Sequence, residues 1–286
     1  GAHDSVLVKA GSGASTFGAP TSLGIPEDAV KNTIIIPYNN IELLQQVIEH
    51  NRQSIAAVII EPVIGHAGVI LPAEGYLQAV RKITEENQII LIFDEVITGF
   101  RLALGGAQEY YGIKPDIVTL GKIMGGGFPM AAYAGRRDLM TLISPLGRVY
   151  QAGTLSGNPV SVTAGLTTLQ ILAEKSGSIY PGLDKGGEEI RKSLQDFIQD
   201  AELPAQVHGI ASMFQVFFTD QPVVDYASAQ SSDKNRYMKF HRLLLEKGVF
   251  LPPSQFETCF ISTAHRAEDI AKTLEAMGSA LKTLTS

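Results

Sequence analysis

Three places in this sequence put an ionisable side chain directly after an apolar run. IAAVII (55–60) ends at Glu61, LIF (91–93) ends at Asp94 and Glu95, and DIVTLG (116–121) ends at Lys122. Runs of this length and texture suit buried strands of a parallel sheet. In open α/β sheets, ligands gather at the carboxyl ends of the strands. A lysine in such a place can form a Schiff base with an aldehyde cofactor. A carboxylate there can keep a pyridine nitrogen protonated, so that the ring accepts electrons. Pyridoxal 5′-phosphate needs both. Each residue also has a plainer reading: Asp94 as a helix cap, Glu95 as a surface charge, Lys122 as a solvated loop lysine. The glycines of GKIMGGG (121–127) do not form a nucleotide phosphate loop, because the lysine precedes them. The joint placement carries more weight than any one position.

The elements that would hold these groups follow from periodicity. IELLQQVIEHN (41–51) and AEGYLQAVRKITEEN (73–87) have helical spacing. IILIF (89–93) is a second buried strand after IAAVII, DIVTLG a third, and MAAYAG (130–135) a fourth. NPVSVTAGLTTLQILAEK (158–175) reads as a long helix with proline at its start. Alternating strand and helix predicts a mostly parallel sheet flanked by helices. Beyond this, a charged helix, the strand SMFQVFFT (212–219), the helix NRYMKFHRLLLEKG, short strands in VFLPP and CFIST, and a terminal helix form a smaller α+β domain. The boundary falls in SGSIYPG, near 175–181. Residues 1–33 are rich in Gly, Ser, Ala and Pro and read as a long loop. The divisions are therefore 1–33, 34–176 and 177–286.

Composition sets the outer limits. The 286 residues are 45% hydrophobic and 18% charged, an ordinary globular profile, and the net charge is −6 with no basic block. That argues against nucleic-acid or anionic-membrane partners. No apolar run approaches the roughly 20 residues of a membrane span. The single cysteine, Cys259, rules out an intrachain disulfide, fits a reducing compartment and reads as a packed core thiol. No metal-ligand spacing stands out, and no signal peptide is visible.

IIEPVIGHAGVILP, LIFDEVITGFR, PDIVTLGKIMGGGFPMAAYAGRR and VYQAGTLSGNP together resemble the class III aminotransferases, pyridoxal-phosphate enzymes of fold type I. LVKAGSG (7–13), GGAQEYYG (105–112), YQAGTLSGNP (150–159) and LPPSQFET (251–258) narrow the resemblance to the glutamate-1-semialdehyde 2,1-aminomutases within that class. The resemblance runs over essentially the whole chain. It implies a large pyridoxal-phosphate domain and a small C-terminal α+β domain.

The resemblance also implies roles. Lys122 is the expected Schiff-base lysine and proton carrier, and Asp94 the partner of the pyridine nitrogen. Val96 packs on the ring face, and Glu95 supports by hydrogen bonding. Gly153 and Thr154 belong to a phosphate-binding turn, with Thr154 reaching the neighbouring subunit of a homodimer. The first loop is a gating lid with Ser12 at its tip. Glu257 stands where many relatives carry a substrate-binding arginine. His66 occupies a position where an asparagine usually contacts the ring's phenolic oxygen, and histidine can donate the same bond. The implied activity is isomerisation of glutamate 1-semialdehyde to 5-aminolevulinate for tetrapyrrole synthesis, with pyridoxal and pyridoxamine phosphate as cofactor forms. The expected location is cytoplasmic, or the stroma of a plastid. Two other readings stay open: another class III ω-aminotransferase, or a non-catalytic fragment needing a complementing N-terminal segment. The chain has no initial methionine and is expected to lack the family's first third.

Overall fold

A four-stranded sheet in the order β1-β2-β3-β4 carries the strand ends singled out above. The computed structural model describes residues 4–8 and 22–284. After a 3₁₀ turn at Asp4–Val6 come helices α1 (Glu27–Val30) and α2 (Ile41–His50), then strand β1 (Ala57–Ile60). There follow α3 (Tyr76–Glu86), β2 (Ile90–Glu95), α4 (Gly106–Tyr111), β3 (Ile117–Leu120), β4 (Ala132–Gly135) and α5 (Arg137–Met140). The second half holds α6 (Pro159–Glu174), α7 (Ser176–Asp200), β5 (Gln206–Ile210), β6 (Met213–Phe217), α8 (Tyr226–Gln230), α9 (Lys234–Glu246), β7 (Cys259–Phe260) and α10 (Ala267–Thr283). Among the described residues, no helix is long and apolar enough to cross a membrane.

Strands β1, β2 and β3 are parallel, with Ile60 opposite Phe93 and Asp94 opposite Thr119. Strand β4 joins β3 antiparallel. The apolar side chains of α2 and α3 (Leu44, Ile48, Leu77, Val80) cover one face, against Leu91, Phe93 and Val118. A buried carboxylate ties the amino ends of the strands. Asp116, 7% exposed, accepts from the Leu91 amide (2.8 Å), Arg81 Nη1 (2.9 Å) and Arg136 Nη1 (3.0 Å).

The apolar run 55–60 reads as a buried strand, but β1 is an edge of the sheet and Ile59 is 60% exposed. An all-apolar run does not reveal whether a neighbour lies on both sides. The stretch 175–181, read as a boundary loop, is helical: the chain turns at Lys175 and α7 begins at once, carrying Pro181 inside it. Pro181 lies beyond the first turn of α7, so the helix forgoes the N–H bond that residue 181 would make to Gly177 O. Strand β5 was missed, and VFLPP forms no strand.

The second sheet, β5-β6-β7, is antiparallel throughout. Its core is Ile190, Leu194, Phe214, Phe240, Leu244 and Met277, drawn from α7, α9 and α10 as well as β6. Two apolar clusters join the halves. Val63, Val69 and Leu102 pack with Ala211 and Met213, and Ile64, Ala67 and Ile70 pack with Phe217. The segment after β1 is therefore wedged between the sheets.

Candidate active site

Adjacent side chains on a strand point to opposite faces, and this sorts the two acids at the end of β2. Glu95 points inward and is fully buried. It accepts from Thr98 Oγ1 (3.1 Å), the Gln108 amide (3.2 Å), Gln108 Nε2 (3.3 Å) and the Ala107 amide, at the start of α4. Burial raises its pKa, and these donors only partly offset the rise. The surface-charge reading of Glu95 is thus corrected: it ties β2 to α4. Asp94 points the other way and is half-buried. Its Oδ1 accepts from Thr119 Oγ1 (3.1 Å) and from the Val96 amide (3.1 Å). Its Oδ2 has no hydrogen bond among the described residues, which leaves a fixed carboxylate with one oxygen free.

Lys122 begins a short 3₁₀ turn directly after β3, with φ +47°. Left-handed backbone is unfavourable for any residue with a Cβ, and such strain gathers at functional sites. A Cβ on the preceding Gly121 would lie 3.4 Å from Val96 Cγ1, so Val96 and the lysine segment are neighbours. The glycines after the lysine serve packing. A Cβ on Gly126 would come within 2.4 Å of Thr168 Oγ1 and 2.9 Å of Ala164 O, both on α6. Helix α6 thus seats directly on the turn that presents Lys122.

His66 and Glu257 meet across the junction of the two halves. Glu61, just past β1, accepts the Gly65 amide on Oε2 (3.0 Å) and pairs through Oε1 with His66 Nδ1. The loop 65–68 is fastened to residues 256–258. Thr258 is buried, its Oγ1 lies 2.7 Å from Gly65 O and 3.1 Å from Gly68 O, and the Gly68 amide donates to Phe256 O (2.7 Å). The Gln215 side chain in turn holds Glu257 O. His66 feels the result. Its hydrogen bond to Glu61 raises its pKa, partial burial opposes this, and the charges of Glu61, Asp94 and Glu257 add to the rise. Three carboxylates from three separate segments therefore face one imidazole.

The structure brings together Asp94, Val96 and Lys122 on one side, and His66, Glu257 and Asp94 on the other. Glu61, noted in the sequence only as a strand-end acid, is a member of this cluster. Gly153 and Thr154 lie in an exposed turn before α6, and Thr154 makes no side-chain hydrogen bond among the described residues. Ser12 lies outside the described residues. Cys259 is a buried thiol whose pKa burial pushes up to about 12, so it stays protonated and takes no part.

The sequence profile of the class III aminotransferases matches residues 8–281. The chain belongs to that family. A glutamate-1-semialdehyde 2,1-aminomutase from Methanothermobacter thermautotrophicus is 56% identical over 284 residues, covering 99% of this chain and 66% of the relative. An ω-transaminase from Sphaerobacter thermophilus superposes with TM-score 0.88 at 29% identity, covering 100% of this chain and 66% of that one. A glutamate-1-semialdehyde aminomutase from Pseudomonas aeruginosa, crystallised with PMP, has the same fold: TM-score 0.82 at 23% identity, covering 99% of this chain and 64% of that one. This class III aminotransferase chain thus spans about two-thirds of the length of the curated relative.

Proposed function

We propose that the protein isomerises glutamate 1-semialdehyde to 5-aminolevulinate by intramolecular amino transfer, with pyridoxal phosphate and its pyridoxamine form as cofactor. One observation carries the reading: Asp94, Val96 and Lys122 converge at the adjoining carboxyl ends of β2 and β3. The aminomutase named above, at 56% identity, favours this member of the family over its other activities.

The residues fit the cofactor. Pyridoxal phosphate, when bound, supplies an aldehyde carbon for an amine and an electron sink for charge at the substrate carbon. Asp94 would hold a proton on the pyridine nitrogen through its free Oδ2, while Thr119 and the Val96 amide keep the carboxylate from turning. Val96 would press an apolar branch on the ring face. Lys122 Nζ would carry the proton that has to move at the substrate carbon. Glu257 would repel the second carboxylate of a dicarboxylic amino acceptor, so the substrate that fits brings an amine or aldehyde there.

The homodimer belongs to this proposal. Residues 146–166 expose a run of large apolar side chains: Leu146 80%, Tyr150 83%, Leu155 68%, Val160 58% and Leu166 55%. A patch of this kind marks an interaction surface. Thr154 stands within it, where it would serve the phosphate site of a neighbouring subunit.

The deciding experiment adds the semialdehyde to the full-length protein without any keto acid. Formation of 5-aminolevulinate supports the isomerase. Turnover only after a keto acid is supplied would make it an ω-aminotransferase. Borohydride reduction of the pyridoxal-loaded protein, followed by peptide mapping, should place the label on Lys122. Reduction that leaves Lys122 unlabelled would overturn the lysine's assignment.

A further inference from the structure

Gln215 is a polar residue in the middle of a buried strand. It lies fully buried on β6, the central strand of the second sheet, between Phe214 and Val216 of the apolar core. A buried amide is costly unless its ends are bonded. Here they are: Oε1 accepts the Val216 amide (2.8 Å), and Nε2 donates to Glu257 O. The register shows what these bonds replace. Strand β7 pairs Phe260 with Met213 and Cys259 with Phe214, and the Ile261 amide donates to Ser212 O (2.9 Å). Hydrogen-bonded pairs alternate along an antiparallel ladder. After Ile261 with Ser212 and Cys259 with Phe214, the next such pair would be Glu257 with Val216. There the Val216 amide would donate straight to Glu257 O. The Gln215 carboxamide stands between them instead, and the Glu257 amide turns back to Ser254 O (3.1 Å). A continued strand would also put the Glu257 side chain on the face of Cys259, which is the apolar core. In the structure Thr258 is buried and Glu257 is exposed.

We propose that Gln215 is a specificity-determining positioning residue: its carboxamide, inserted where β6 and β7 part, keeps Glu257 out of the core and turns it to the cleft, where it repels a second carboxylate. This rests on the reading of Glu257 given above. Gln215 acts through Glu257 and not on the substrate, and the ligands it helps to exclude are short dicarboxylates. The near side of the segment is fixed as well. Gln255 Nε2 donates to Ala229 O and Ser232 O (3.3 Å each), and Tyr237 Oη donates to Pro252 O (2.9 Å). Residues 252–258 are thus held from both ends, and Gln215 sets the direction in which Glu257 leaves the sheet.

The test uses the full-length protein loaded with pyridoxal phosphate. Calorimetry gives its affinity for glutarate, an unreactive dicarboxylate, in the wild type, Glu257→Gln, Gln215→Met and the double variant. Glu257→Gln removes the repulsion and should tighten glutarate at least about 10-fold. Gln215→Met should move affinity the same way, and the double variant should go no further than Glu257→Gln, since both act through one group. Gln215→Glu adds a pH readout. A buried carboxyl stays protonated at low pH, and can then accept from Val216 and donate to Glu257 O as the amide does. Ionised at higher pH, it repels that oxygen. Its glutarate affinity should match the wild type in acid and exceed it as pH rises, which a packing defect alone would not produce. The proposal is overturned if Glu257→Gln tightens glutarate while folded Gln215→Met and Gln215→Glu bind as weakly as the wild type at every pH. It is also overturned if neither Gln215 variant folds, because the amide then serves the fold. If Glu257→Gln itself leaves glutarate weak, the reading of Glu257 fails first and the proposal falls with it, a result distinct from the other two.

Discussion

Replacing Thr258 with valine tests the junction that brings His66 to Glu257. Valine keeps the shape and removes one hydroxyl. That hydroxyl belongs to a residue only 3% exposed and sits 2.7 Å and 3.1 Å from two carbonyl oxygens, Gly65 O and Gly68 O. One proton serves one bond at a time, so the loss is that of a single buried hydrogen bond. Leaving a buried acceptor unsatisfied costs about 1–3 kcal/mol. The added methyl recovers up to ~0.8 kcal/mol. The net destabilisation is about 1–2 kcal/mol, a fall in Tm of roughly 2–8 °C. The local effect should be sharper. Opening of loop 65–68 becomes about 5–30-fold more frequent, read as faster hydrogen exchange at the amides of Gly65 and Gly68. Thr258→Ser keeps the hydroxyl and should preserve that protection even if the lost methyl lowers Tm. The reasoning fails if the valine variant melts with the wild type and both amides stay equally protected, or if serine exposes them as much as valine does.

Other substitutions probe the same frame. Gly68 has φ +82°, and a Cβ there would lie 2.3 Å from Phe217 Cζ and 3.0 Å from Gln255 O. Gly68→Ala combines left-handed strain with overpacking, so urea denaturation should show a loss of about 2–5 kcal/mol. Asp116→Asn leaves the Arg81 guanidinium without its buried counter-charge and should cost about 3 kcal/mol at neutral pH, the low end for a broken buried pair because Arg136 is half-exposed. Burial alone would raise the Asp116 pKa, but the Leu91 amide and the two arginines outweigh it and hold it below the usual value. The sign follows: this stability is present above about pH 4 and is lost as pH falls through the depressed pKa. The gap between wild type and Asp116→Asn should therefore narrow in acid; a gap that stays constant down to acid unfolding would contradict the assignment.

The sheet was legible because apolar runs of strand length alternate with helices of clear period. The lysine and Asp94 were legible because each ends such a run. Two classes of fact were not. The burial of Glu95 depends on α4 arriving twelve residues later to present its amides, and nothing near Glu95 in the sequence announces that. The joining of Glu257 to His66 links segments far apart in the chain, through Thr258 and Gly65 at a separation of 193 residues. Local pattern carries no record of contacts at that distance. The edge position of β1 and the helical run through SGSIYPG failed for the same reason: the neighbour, not the segment, decides.

Lys122 occupies a backbone conformation suited to glycine. Holding a lysine at φ +47° costs about 1–2 kcal/mol, and glycine would relieve it at an entropic cost of about 0.5–1 kcal/mol in the unfolded chain. An inactive Lys122→Gly protein should accordingly be as stable as the wild type or slightly more so, which differential scanning calorimetry on the cofactor-free proteins can decide. Selection for a folded chain and selection for a reactive amine pull in opposite directions at this position.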